Sequence, residues 1–433
     1  MCIRDSYLSA RVDRIPLDEM LRWKTCANSG EFRHESGRFF SVRGIEVFDE
    51  VNGGAWAQPV LDQPELGLLG IAITPSERGF EALIQAKVEP GNINGIQLSP
   101  TVQATLSNQH QVHGGGPVPY LELFYSNSGA VLVDTRQSEH GAVFWRKRNR
   151  VMIVLTQKFQ ARPGFRWVEL SDILGILRDN DLVHADTRAV LACMPWSFQA
   201  VGDGPSRRLA KLRFSLDCIA SGFPVRDVAR WISSERSKGT IDSQIVKLSE
   251  LDRWFRNDWA IGREDGRGFE VVGVSVVAKG REVDCWSQPM VQPNGVGLIG
   301  LLVDVSERDP RLLVKLRREP GLVDGAELGP TVQIAGGERA ASELESALER
   351  SVLTANGTEV VFDSVLSDEG GRFLSGRHRH RIVLTDFTAP PSGYRWCSLS
   401  VIESLLLHSH EVNMQLRSIL VCLTSMAVSD DTN

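Results

Sequence analysis

A long internal repeat is the feature of this 433-residue sequence that most restricts its fold. Trp56-Ala57-Gln58-Pro59 returns 230 residues later as Trp286-Ser287-Gln288-Pro289, and Glu89-Pro90-Gly91 returns at the same spacing as Glu319-Pro320-Gly321. Further pairs at or within one residue of this spacing are Pro100-Thr101-Val102-Gln103 with Pro330-Thr331-Val332-Gln333, and Phe165-Arg166-Trp167 with Tyr394-Arg395-Trp396. So constant a spacing indicates a duplication, and a period above about 200 residues is too long for a solenoid. We therefore expect two similar domains, each with its own core.

The order of hydrophobic patterns within one copy predicts an α+β fold. A short helix with Leu17 and Met20 on one face comes first. Apolar, β-branched runs bounded by Gly, Pro or Asn then predict strands at 39–47, 66–74, 80–87, 131–134 and 151–156. Two helices follow, near 168–178 and 186–194, with Ser171 and Asp186 as the expected N-caps. Strands followed by terminal helices are typical of the α+β class.

The duplication also predicts the domain boundaries. We assign residues 7–201 to the first repeat, 202–240 to a linker with connecting helices, and 241–433 to the second repeat. The segment 202–206 is rich in Gly and Pro, as linkers are, and the apolar spacing after it predicts a helix that packs the copies together. The apolar residues concerned are Leu209, Leu212, Leu216 and Ile219. Residues 1–6 show no periodicity, so we treat them as a remnant of sequence assembly and leave them out.

Charge and hydropathy argue against several classes of protein. The chain has 48 Lys and Arg against 54 Asp and Glu, and this net charge of −6 argues against general nucleic-acid binding. The longest apolar runs, 66–73 and 296–303, are far shorter than the about 20 residues of a membrane span, and no secretion signal opens the chain. Seven scattered cysteines without a CxxC pair are typical of reduced thiols. We expect a cytoplasmic protein that binds neither nucleic acid nor membrane.

The sequence gives no support for a metal ion or a bound cofactor. Three close histidine pairs have no cysteine or acidic residue at ligand spacing, and we interpret them as structural or surface residues. These pairs are His110 with His113, His378 with His380, and His408 with His410. The motifs GxxxxGK[ST], GxGxxG and GxSxG are also absent, so ATP, NAD and serine-hydrolase chemistry lack support.

A polar stretch in the first copy is the best candidate for a chemical site. Gln85, Lys87 and Glu89 share one face of a strand, because side chains alternate along it. After the Glu-Pro-Gly turn, short polar side chains follow at Gln97, Ser99, Thr101 and Gln103. An amide, an amine and a carboxylate on one face can bind a polar ligand and move a proton. The alternative is a solvated face with a structural turn, since Glu-Pro-Gly and Pro-Thr-Val-Gln occur in both copies.

The two copies differ at the residues that would carry out chemistry. Lys87 of the first copy corresponds to Arg317 of the second. After Gln103, the first copy has a polar and aromatic loop with His113 and Tyr120, whereas the second has a stretch typical of a charged surface helix. Because a duplication starts from identical copies, this divergence indicates that the two pockets no longer do the same task. We favour the first copy as the chemical site.

The strongest basic run is Arg146-Lys147-Arg148-Asn149-Arg150. On a strand, Arg146, Arg148 and Arg150 share one face, and guanidinium groups bind phosphate through paired donors. Two alternatives stay open. The run could be a solvated strand edge, which Lys and Arg protect from aggregation. The adjacent aromatic residues hint at RNA, which the acidic net charge disfavours.

Six segments together resemble the NDP-hexose 2,3-dehydratases of deoxysugar biosynthesis, over nearly the whole chain. They are Phe32-Arg33-His34-Glu35-Ser36-Gly37-Arg38-Phe39-Phe40, Trp56-Ala57-Gln58-Pro59, the stretch 85–105, Gln137-Ser138-Glu139-His140-Gly141, the basic run 146–150 and Asp186-Thr187-Arg188. The resemblance implies two Nudix-like domains without Nudix hydrolase chemistry, and the sequence contains no Nudix box. It also implies a homodimer that acts on dTDP-4-keto-6-deoxy-D-glucose, a separate 3-ketoreductase that takes the product, and no redox cofactor.

The implied reaction fits the residues of the first copy. The C4 ketone acidifies the C3 hydrogen, a base removes it, and an acid helps the C2 hydroxyl to leave, which gives a 3,4-diketo sugar. Our hypothesis is that Glu89 or His113 is the base or acid, Lys87 polarises the ketone, and Arg146 with Arg148 holds the pyrophosphate. Further substrate-binding residues are expected at Arg38, Trp56, Gln85, Asn92, Gln97, Ser99, Thr101, Gln103, Tyr120 and Glu139. A second-repeat pocket is expected at Trp286, Glu319, Glu327, Thr331, Gln333 and Arg377.

Two other functions stay open at this point. The chain could be a duplicated scaffold that binds a nucleotide-linked sugar without changing it. It could also be another lyase or an epimerase of a 4-ketosugar, because removal of the C3 proton is common to these reactions.

Overall fold

The computed structural model describes residues 9–110, 116–125, 129–179, 181–201, 208–214, 225–279, 283–306, 309–387 and 389–428. The predictions for residues 1–6 and for His113 lie outside these residues. The described chain is of the α+β class and has two similar halves, as the sequence predicts. We call residues up to 201 the first half and residues from 225 onward the second half.

The strands and helices follow in chain order. Strands of the first half are β1 (Ser9–Ile15), β2 (Trp23–Thr25), β3 (Phe32–His34), β4 (Ser41–Asp49), β5 (Gly54–Asp62), β6 (Gly67–Ser76), β7 (Gly79–Val88), β8 (Ile96–Ser99), β9 (Val102–Ala104), β10 (Ala130–Ser138), β11 (Arg148–Leu155), β12 (Phe165–Glu169) and β13 (Trp196–Val201), which pairs with β14 (Arg208–Phe214). Strands of the second half are β15 (Ile241–Val246), β16 (Trp254–Arg256), β17 (Ala260–Arg263), β18 (Phe269–Lys279), β19 (Cys285–Pro293), β20 (Gly297–Asp304), β21 (Arg311–Arg318), β22 (Ala326–Gly329), β23 (Val332–Ile334), β24 (Val360–Ser367), β25 (Arg377–Leu384) and β26 (Tyr394–Ser398). The α-helices are α1 (Leu106–Gln109), α2 (Glu122–Tyr125), α3 (Leu170–Gly175), α4 (Ala185–Ala192), α5 (Arg226–Arg236), α6 (Glu343–Thr354), α7 (Leu399–Leu406) and α8 (Met414–Val428). Short 3₁₀ helices cover Leu17–Glu19, Ile176–Arg178, Leu248–Glu250 and Gly357–Glu359.

Each half contains a seven-stranded mixed sheet of the same topology. In the first half the order is β10-β11-β6-β7-β12, with β8 beside β7 and β9 beside β6. The order in the second half is β24-β25-β20-β21-β26, with β22 and β23 in the equivalent places. The pairs β6–β11 and β20–β25 are parallel, and the other pairs in these sheets are antiparallel. The two sheets are therefore two copies of one arrangement, as the duplication predicts.

The two halves exchange a strand in their smaller sheets. β1, at the start of the chain, pairs antiparallel with β18 of the second half, with Val12 opposite Val276. β15, which begins the second half, pairs antiparallel with β4 of the first half, with Ile245 opposite Ile45. Each half thus completes a sheet of the other, so the two copies are joined by backbone hydrogen bonds as well as by side-chain packing.

The largest buried apolar cluster is shared by both halves. It contains Ile71 and Ile153 from the first sheet, Ile299 and Leu301 from the second, and the apolar side chains of α4 and α8. The sequence predicts a separate core for each copy, and this prediction is wrong in part. The reason is that α4 and α8 pack against each other, and their apolar side chains form one buried cluster with apolar side chains of both sheets.

Local predictions hold better for the strands than for the connecting segment. The helix predicted over 207–240 is wrong at its start, because Leu209 and Leu212 lie in β14. Of the described part of this segment, residues 226–236 form helix α5. Leu216 and Ile219 lie outside the described residues. The predicted caps are also wrong, since Glu169 caps α3 and His184 caps α4. No described helix combines the length and the apolar character that crossing a membrane requires.

Candidate active site

A cavity of about 750 Å³ opens against the seven-stranded sheet of the first half. Strands β6, β7 and β9 form one wall, and the second half contributes the start of β19 and residues 369–372. Aromatic side chains from both halves line it, among them Trp23, Phe39, Phe40, Phe165 and Trp286. A volume of this size with convergent polar groups is typical of a site for a small organic ligand.

Lys87, Glu89 and Gln103 form a hydrogen-bonded triangle on the cavity wall. Lys87 Nζ donates to Gln103 Oε1 at 2.7 Å and lies 3.2 Å from Glu89 Oε1. Gln103 Nε2 donates to the same Glu89 oxygen at 3.1 Å. The alternation along β7 brings Lys87 to this face, and Glu89 follows where the strand ends. The sequence predicts Lys87 and Glu89 on one strand face and Gln103 as a binding residue after the turn, and the structure brings the three together.

His184 forms a further hydrogen bond to the Glu89 member of this triangle. Its Nε2 lies 2.7 Å from Glu89 Oε2, and the ring is fully buried at 0% exposure. No sequence motif considered above points to this histidine. An alignment of the two repeats identifies it. His184 and Asp186 align with Asn413 and Gln415, so two ionisable side chains of the first copy are amides in the second.

Further carboxyl groups line the same cavity, among them Glu139, Asp186 and Glu369. Burial, together with the charges of Glu139 and Glu89, raises the pKa of Asp186 well above its usual value. Burial, followed by the charges of Glu89 and Asp186, raises the pKa of Glu369 to about 8. A raised pKa favours the protonated form of both groups, because a second negative charge beside an ionised carboxylate is unfavourable, and a protonated carboxyl group can donate its proton.

The basic run contributes to the cavity through the face opposite to the predicted one. Lys147 and Asn149 line the cavity, and Asn149 donates a hydrogen bond to Glu139. Burial lowers the pKa of Lys147 to about 8, and its Nζ donates to the backbone oxygen of Glu65 at 2.7 Å. Arg146 and Arg148 are exposed and lie away from the cavity, so the structure does not support the prediction that they hold a phosphate there. The alternation is as predicted, but the inward face belongs to the other set of residues.

The parallel pairing of β6 and β11 places Asn149 directly opposite Gly67. A Cβ atom at position 67 would lie 2.3 Å from Asn149 Oδ1. Only glycine therefore leaves room for the amide that binds Glu139, and this explains the glycine at the start of β6.

The remaining predicted first-copy residues divide into two groups. Gln85 and Thr101 line the cavity, although the Thr101 hydroxyl is used within the sheet, where it donates to Leu83 O and accepts from Ala72 N at 2.9 Å. The others lie outside the lining of this cavity: the buried Gln97, Ser99 and Tyr120, the turn residue Asn92, and the exposed Arg38 and Trp56. Gln97 Nε2 instead donates to Ser367 Oγ of the second half at 2.7 Å. Tyr120 accepts a hydrogen bond from Arg162 N at 2.6 Å. Trp286, expected in the second pocket, lines the first cavity because β19 crosses to it.

The Glu-Pro-Gly turn holds the two halves together beside the cavity. Gly91 N donates to Gly370 O at 2.7 Å, and Gly321 N donates to Gly141 O at the same distance. A Cβ atom at either glycine would lie 1.7 Å from a carbonyl oxygen of the other half, that of Phe373 or Phe144. The turn recurs in both copies because each docks onto the backbone of the other, and this docking brings residues 369–372 to Glu89.

Comparison with known proteins agrees with the resemblance seen in the sequence. A sequence model described as NDP-hexose 2,3-dehydratase matches residues 4–194 and 225–423. A curated dTDP-4-dehydro-6-deoxy-alpha-D-glucopyranose 2,3-dehydratase of Saccharopolyspora spinosa is 39% identical over 96% of this chain and 88% of its own. Proteins of the same name from Streptomyces violaceoruber and Amycolatopsis orientalis are 36% and 34% identical over 96% of this chain, and over 94% and 87% of their own. The chain belongs to the NDP-hexose 2,3-dehydratase family. The predicted family is confirmed, and with it the class of enzyme, a hydro-lyase of deoxysugar biosynthesis.

In this dehydratase the second half lacks the ionisable pair of the first. Val183 and Val412 bridge to the equivalent strands β8 and β22, which aligns His184 with Asn413 and Asp186 with Gln415. Asn413 Nδ2 donates to Gln333 Oε1 at 2.9 Å, and Gln333 Nε2 donates to Glu319 Oε1 at 2.6 Å. Burial raises the pKa of Glu319, the counterpart of Glu89.

Helix α6 of the dehydratase supplies a carboxylate to the second-half counterpart of Lys87. Glu345 accepts hydrogen bonds from Arg317 and from Lys315, and these cations, against the effect of burial, lower the pKa of Glu345 to about 2. The cationic position of the second half is therefore already neutralised by its own chain.

Three predicted residues of the second pocket have structural contacts. Glu327 accepts a hydrogen bond from Ser138 of the first half. Thr331 repeats the contacts of Thr101, donating to Leu313 O at 2.6 Å and accepting from Leu302 N at 3.0 Å. Arg377 lies at the start of β25, where its charge acts on Asp181 of the first half. Among the described residues of the dehydratase, no group of three or more His, Cys, Asp or Glu side chains is arranged to bind a metal ion.

Proposed function

We propose that the chain removes water from dTDP-4-keto-6-deoxy-D-glucose across C2 and C3, as the names of its relatives state for those proteins. The observation that supports this most directly is the composition of the first-half cavity. A carboxylate with three hydrogen-bonding neighbours lies beside a lysine and beside carboxyl groups whose pKa is raised. A base, an electrophile and an acid are thus present within one cavity.

Glu89 is the base in this proposal. Lys87, Gln103 and His184 all approach its oxygens, and donors to a carboxylate favour its ionised form. The ionised carboxylate takes the C3 proton, and the electrons of the C3–H bond form an enolate with the C4 carbonyl. Lys87, 3.2 Å from Glu89 Oε1, stabilises the negative charge on the C4 oxygen.

The pair Asp186 and Glu369 supplies the acid. When the enolate re-forms the ketone, its electrons form the C2–C3 double bond and expel the C2 hydroxyl, which leaves as water with a proton from this pair. The product is an enol at C3 that tautomerises to the 3,4-diketo sugar. Two carboxyl groups of raised pKa beside an ionised Glu89 provide this division of roles, because their environments separate the protonation states.

The opening of the cavity provides groups for the nucleotide. Trp286 and Phe39 offer aromatic faces for the base, and Arg372 lines the cavity as a cation for the pyrophosphate. Arg372 lies 4.1 Å over the ring of Phe40, which fixes its guanidinium at the junction of the two halves. The substrate is therefore expected to contact both halves.

Four further features complete the proposal. We infer that each seven-stranded sheet with its helices is a Nudix-like unit, on the basis of the family resemblance and the mixed sheet with one parallel pair. The protein works as a homodimer in the cytoplasm, and a separate 3-ketoreductase consumes its unstable product. Residues 7–201 and 241–433 remain the proposed repeats, with 202–240 between them.

Incubation of the protein with dTDP-4-keto-6-deoxy-D-glucose in D₂O tests the reaction, with a 3-ketoreductase to trap the product. We expect the trapped product to be lighter than the substrate by one oxygen atom, because the loss of one water is followed by the addition of two hydrogens by the ketoreductase. The mass is read by mass spectrometry after allowance for incorporated deuterium. An epimerase would incorporate deuterium at C3 and keep the C2 hydroxyl. A binding scaffold would retain the nucleotide sugar unchanged, and either of these results would refute the proposal.

A further inference from the structure

The histidine behind Glu89 has no direct access to a ligand. His184 has 0% exposure and is absent from the cavity lining, whereas Glu89 lines the cavity. The two side chains meet at 2.7 Å between Nε2 and Oε2. Any effect of His184 on the reaction must therefore pass through the residues that it contacts, and Glu89 is the one that its Nε2 atom reaches.

The hydrogen-bond partners of the ring define its tautomer. The backbone N–H of Asp186 donates to His184 Nδ1 at 3.1 Å, so Nδ1 carries no proton. A neutral ring must then carry its proton on Nε2, which donates it to Glu89. His184 thus acts as a donor to the carboxylate, and helix α4 fixes its orientation because the same residue caps that helix.

We propose that His184 is a positioning residue for the dehydration, which holds Glu89 ionised and oriented at the cavity wall through the Nε2–Oε2 hydrogen bond. This inference rests on the proposed function, in which Glu89 is the base. It adds a residue that neither the sequence analysis nor the family resemblance singled out.

The second half shows that the fold does not require a histidine at this place. Asn413 occupies the equivalent position, and its Oδ1 accepts from Leu416 N at 2.9 Å, as a cap of α8 should. Its Nδ2 reaches Gln333 and not the glutamate Glu319. Asparagine therefore preserves the cap and withdraws the donor from the carboxylate, which makes it the natural substitution for a test.

Other charged groups also act on Glu89 and have to be considered in a pH profile. Lys87 lies on the same strand, Asp186 follows His184 on α4, and Glu369 comes from the second half. Lys147, Glu139 and Arg372 line the same cavity. The substitution His184→Asn leaves all of these charged groups in place. A change in the acid limb of the rate profile is therefore due to the loss of the hydrogen-bond donor to Glu89.

The test compares wild type with His184→Asn and His184→Gln, using dTDP-4-keto-6-deoxy-D-glucose and the ketoreductase trap. We expect His184→Asn to lower kcat about 10- to 100-fold with KM within about threefold, the effect of one charge-assisted hydrogen bond. The acid limb of the rate profile should move up by about one pH unit, because a lost donor makes the base easier to protonate. Glutamine can place an amide nitrogen near the position of Nε2, so His184→Gln should recover at least about tenfold of the loss.

Each result has a definite meaning. If wild type does not dehydrate the substrate, the proposed function fails, whatever the variants do. If wild type is active and His184→Asn keeps its kcat and its acid limb, the positioning role is wrong. A loss of kcat that His184→Gln does not restore, or a change confined to KM, would also overturn it. Thermal unfolding of the Asn variant near the wild-type temperature confirms that it is folded.

Discussion

Arg188 and Arg417 occupy equivalent positions in the two halves, and each donates hydrogen bonds into the other half. Arg188 Nη2 donates to Ser367 O at 2.6 Å, and Arg417 Nη2 donates to Ser138 O. Both guanidinium groups are buried, with 2% exposure each. Ser138 precedes Glu139, so this pair of arginines holds a cavity-lining segment as well as the interface between the halves.

The exchanged strands and the paired arginines predict that the two halves unfold together. Separation of the halves would expose the shared core around α4 and α8 and leave buried backbone carbonyls without partners. We expect one calorimetric transition with a van't Hoff enthalpy equal to the calorimetric enthalpy. Two resolved transitions would show that the halves are independent units.

Gly91→Ala should destabilise the protein strongly. Its Cβ would lie 1.7 Å from Phe373 O, a backbone atom that cannot move without opening the contact between the halves. We expect a loss of at least about 3 kcal/mol in the free energy of unfolding, measured with urea. Gly54→Ala is the matched control, because nothing lies within 4 Å of its added Cβ, and it should change the stability by less than about 0.5 kcal/mol. Equal effects of the two variants would contradict the docking role of the turn.

Glu89→Gln should abolish most of the turnover. Loss of the base typically lowers the rate by about 10²- to 10⁴-fold, while the amide keeps the shape of the side chain. The matched control is Glu319→Gln, at the equivalent position of the second half, where Gln333 provides the same contact. We expect the control to retain kcat within about twofold, measured with the ketoreductase trap. Comparable losses in both variants would place chemistry in both halves.

Glu369→Gln tests whether the second half provides the acid for a reaction in the first. The pKa of Glu369 is raised to about 8, so the protonated form dominates below this pH and is lost above it. We expect the wild-type kcat to fall as the pH rises through about 8. The variant should lose this basic limb together with about 10²-fold or more in kcat. An unchanged rate and an unchanged basic limb would exclude Glu369 from the proton transfer.

Glu327→Gln should make the protein less sensitive to alkaline pH. Burial raises the pKa of Glu327 to about 7 from 4.5, so the folded state binds a proton that the unfolded state releases between these values. Its contribution to stability is present below pH 4.5 and is lost as the pH rises through 7. Between pH 4.5 and pH 8, the free energy of unfolding of the variant should rise by about 3 kcal/mol relative to that of the wild type, measured by urea unfolding. Gln97 is the first-half counterpart of Glu327, which shows that the fold accepts an amide at this position. Identical dependence of stability on pH in the variant and the wild type would refute the prediction.

The sequence was most informative where a pattern was local or repeated. The apolar run at 66–74 becomes β6, which is buried almost throughout because side chains cover both faces of the sheet. Strand alternation predicts that Lys87 and Glu89 share one face, and the same polar stretch of sequence contains Gln103, which the structure places beside both. Residues that lie within about twenty positions of one another in the sequence can be arranged in few ways, so a local pattern is enough to predict that they are close.

Contacts between distant segments were not accessible in this way. Asp186 was interpreted as a helix cap, whereas the fold buries it in a group of carboxyls, because Glu369 arrives from the other half. Alternation predicts that Arg146, Arg148 and Arg150 share one face, but it does not predict which face of the run the fold covers, and the cavity is lined by Lys147 and Asn149. Trp286, near the start of β19 in the second half, lines the first cavity.

By itself the sequence determined the duplication, the α+β class, the family and the polar group on β7 and β9. These follow from residue spacing, which is fixed along the chain. The tertiary structure alone decided that the cavity belongs to both halves and that His184 lies behind Glu89. The reason is that the strand exchange and the docked glycine turns bring together residues almost 300 positions apart in the sequence. A local sequence pattern does not predict contacts between residues so far apart.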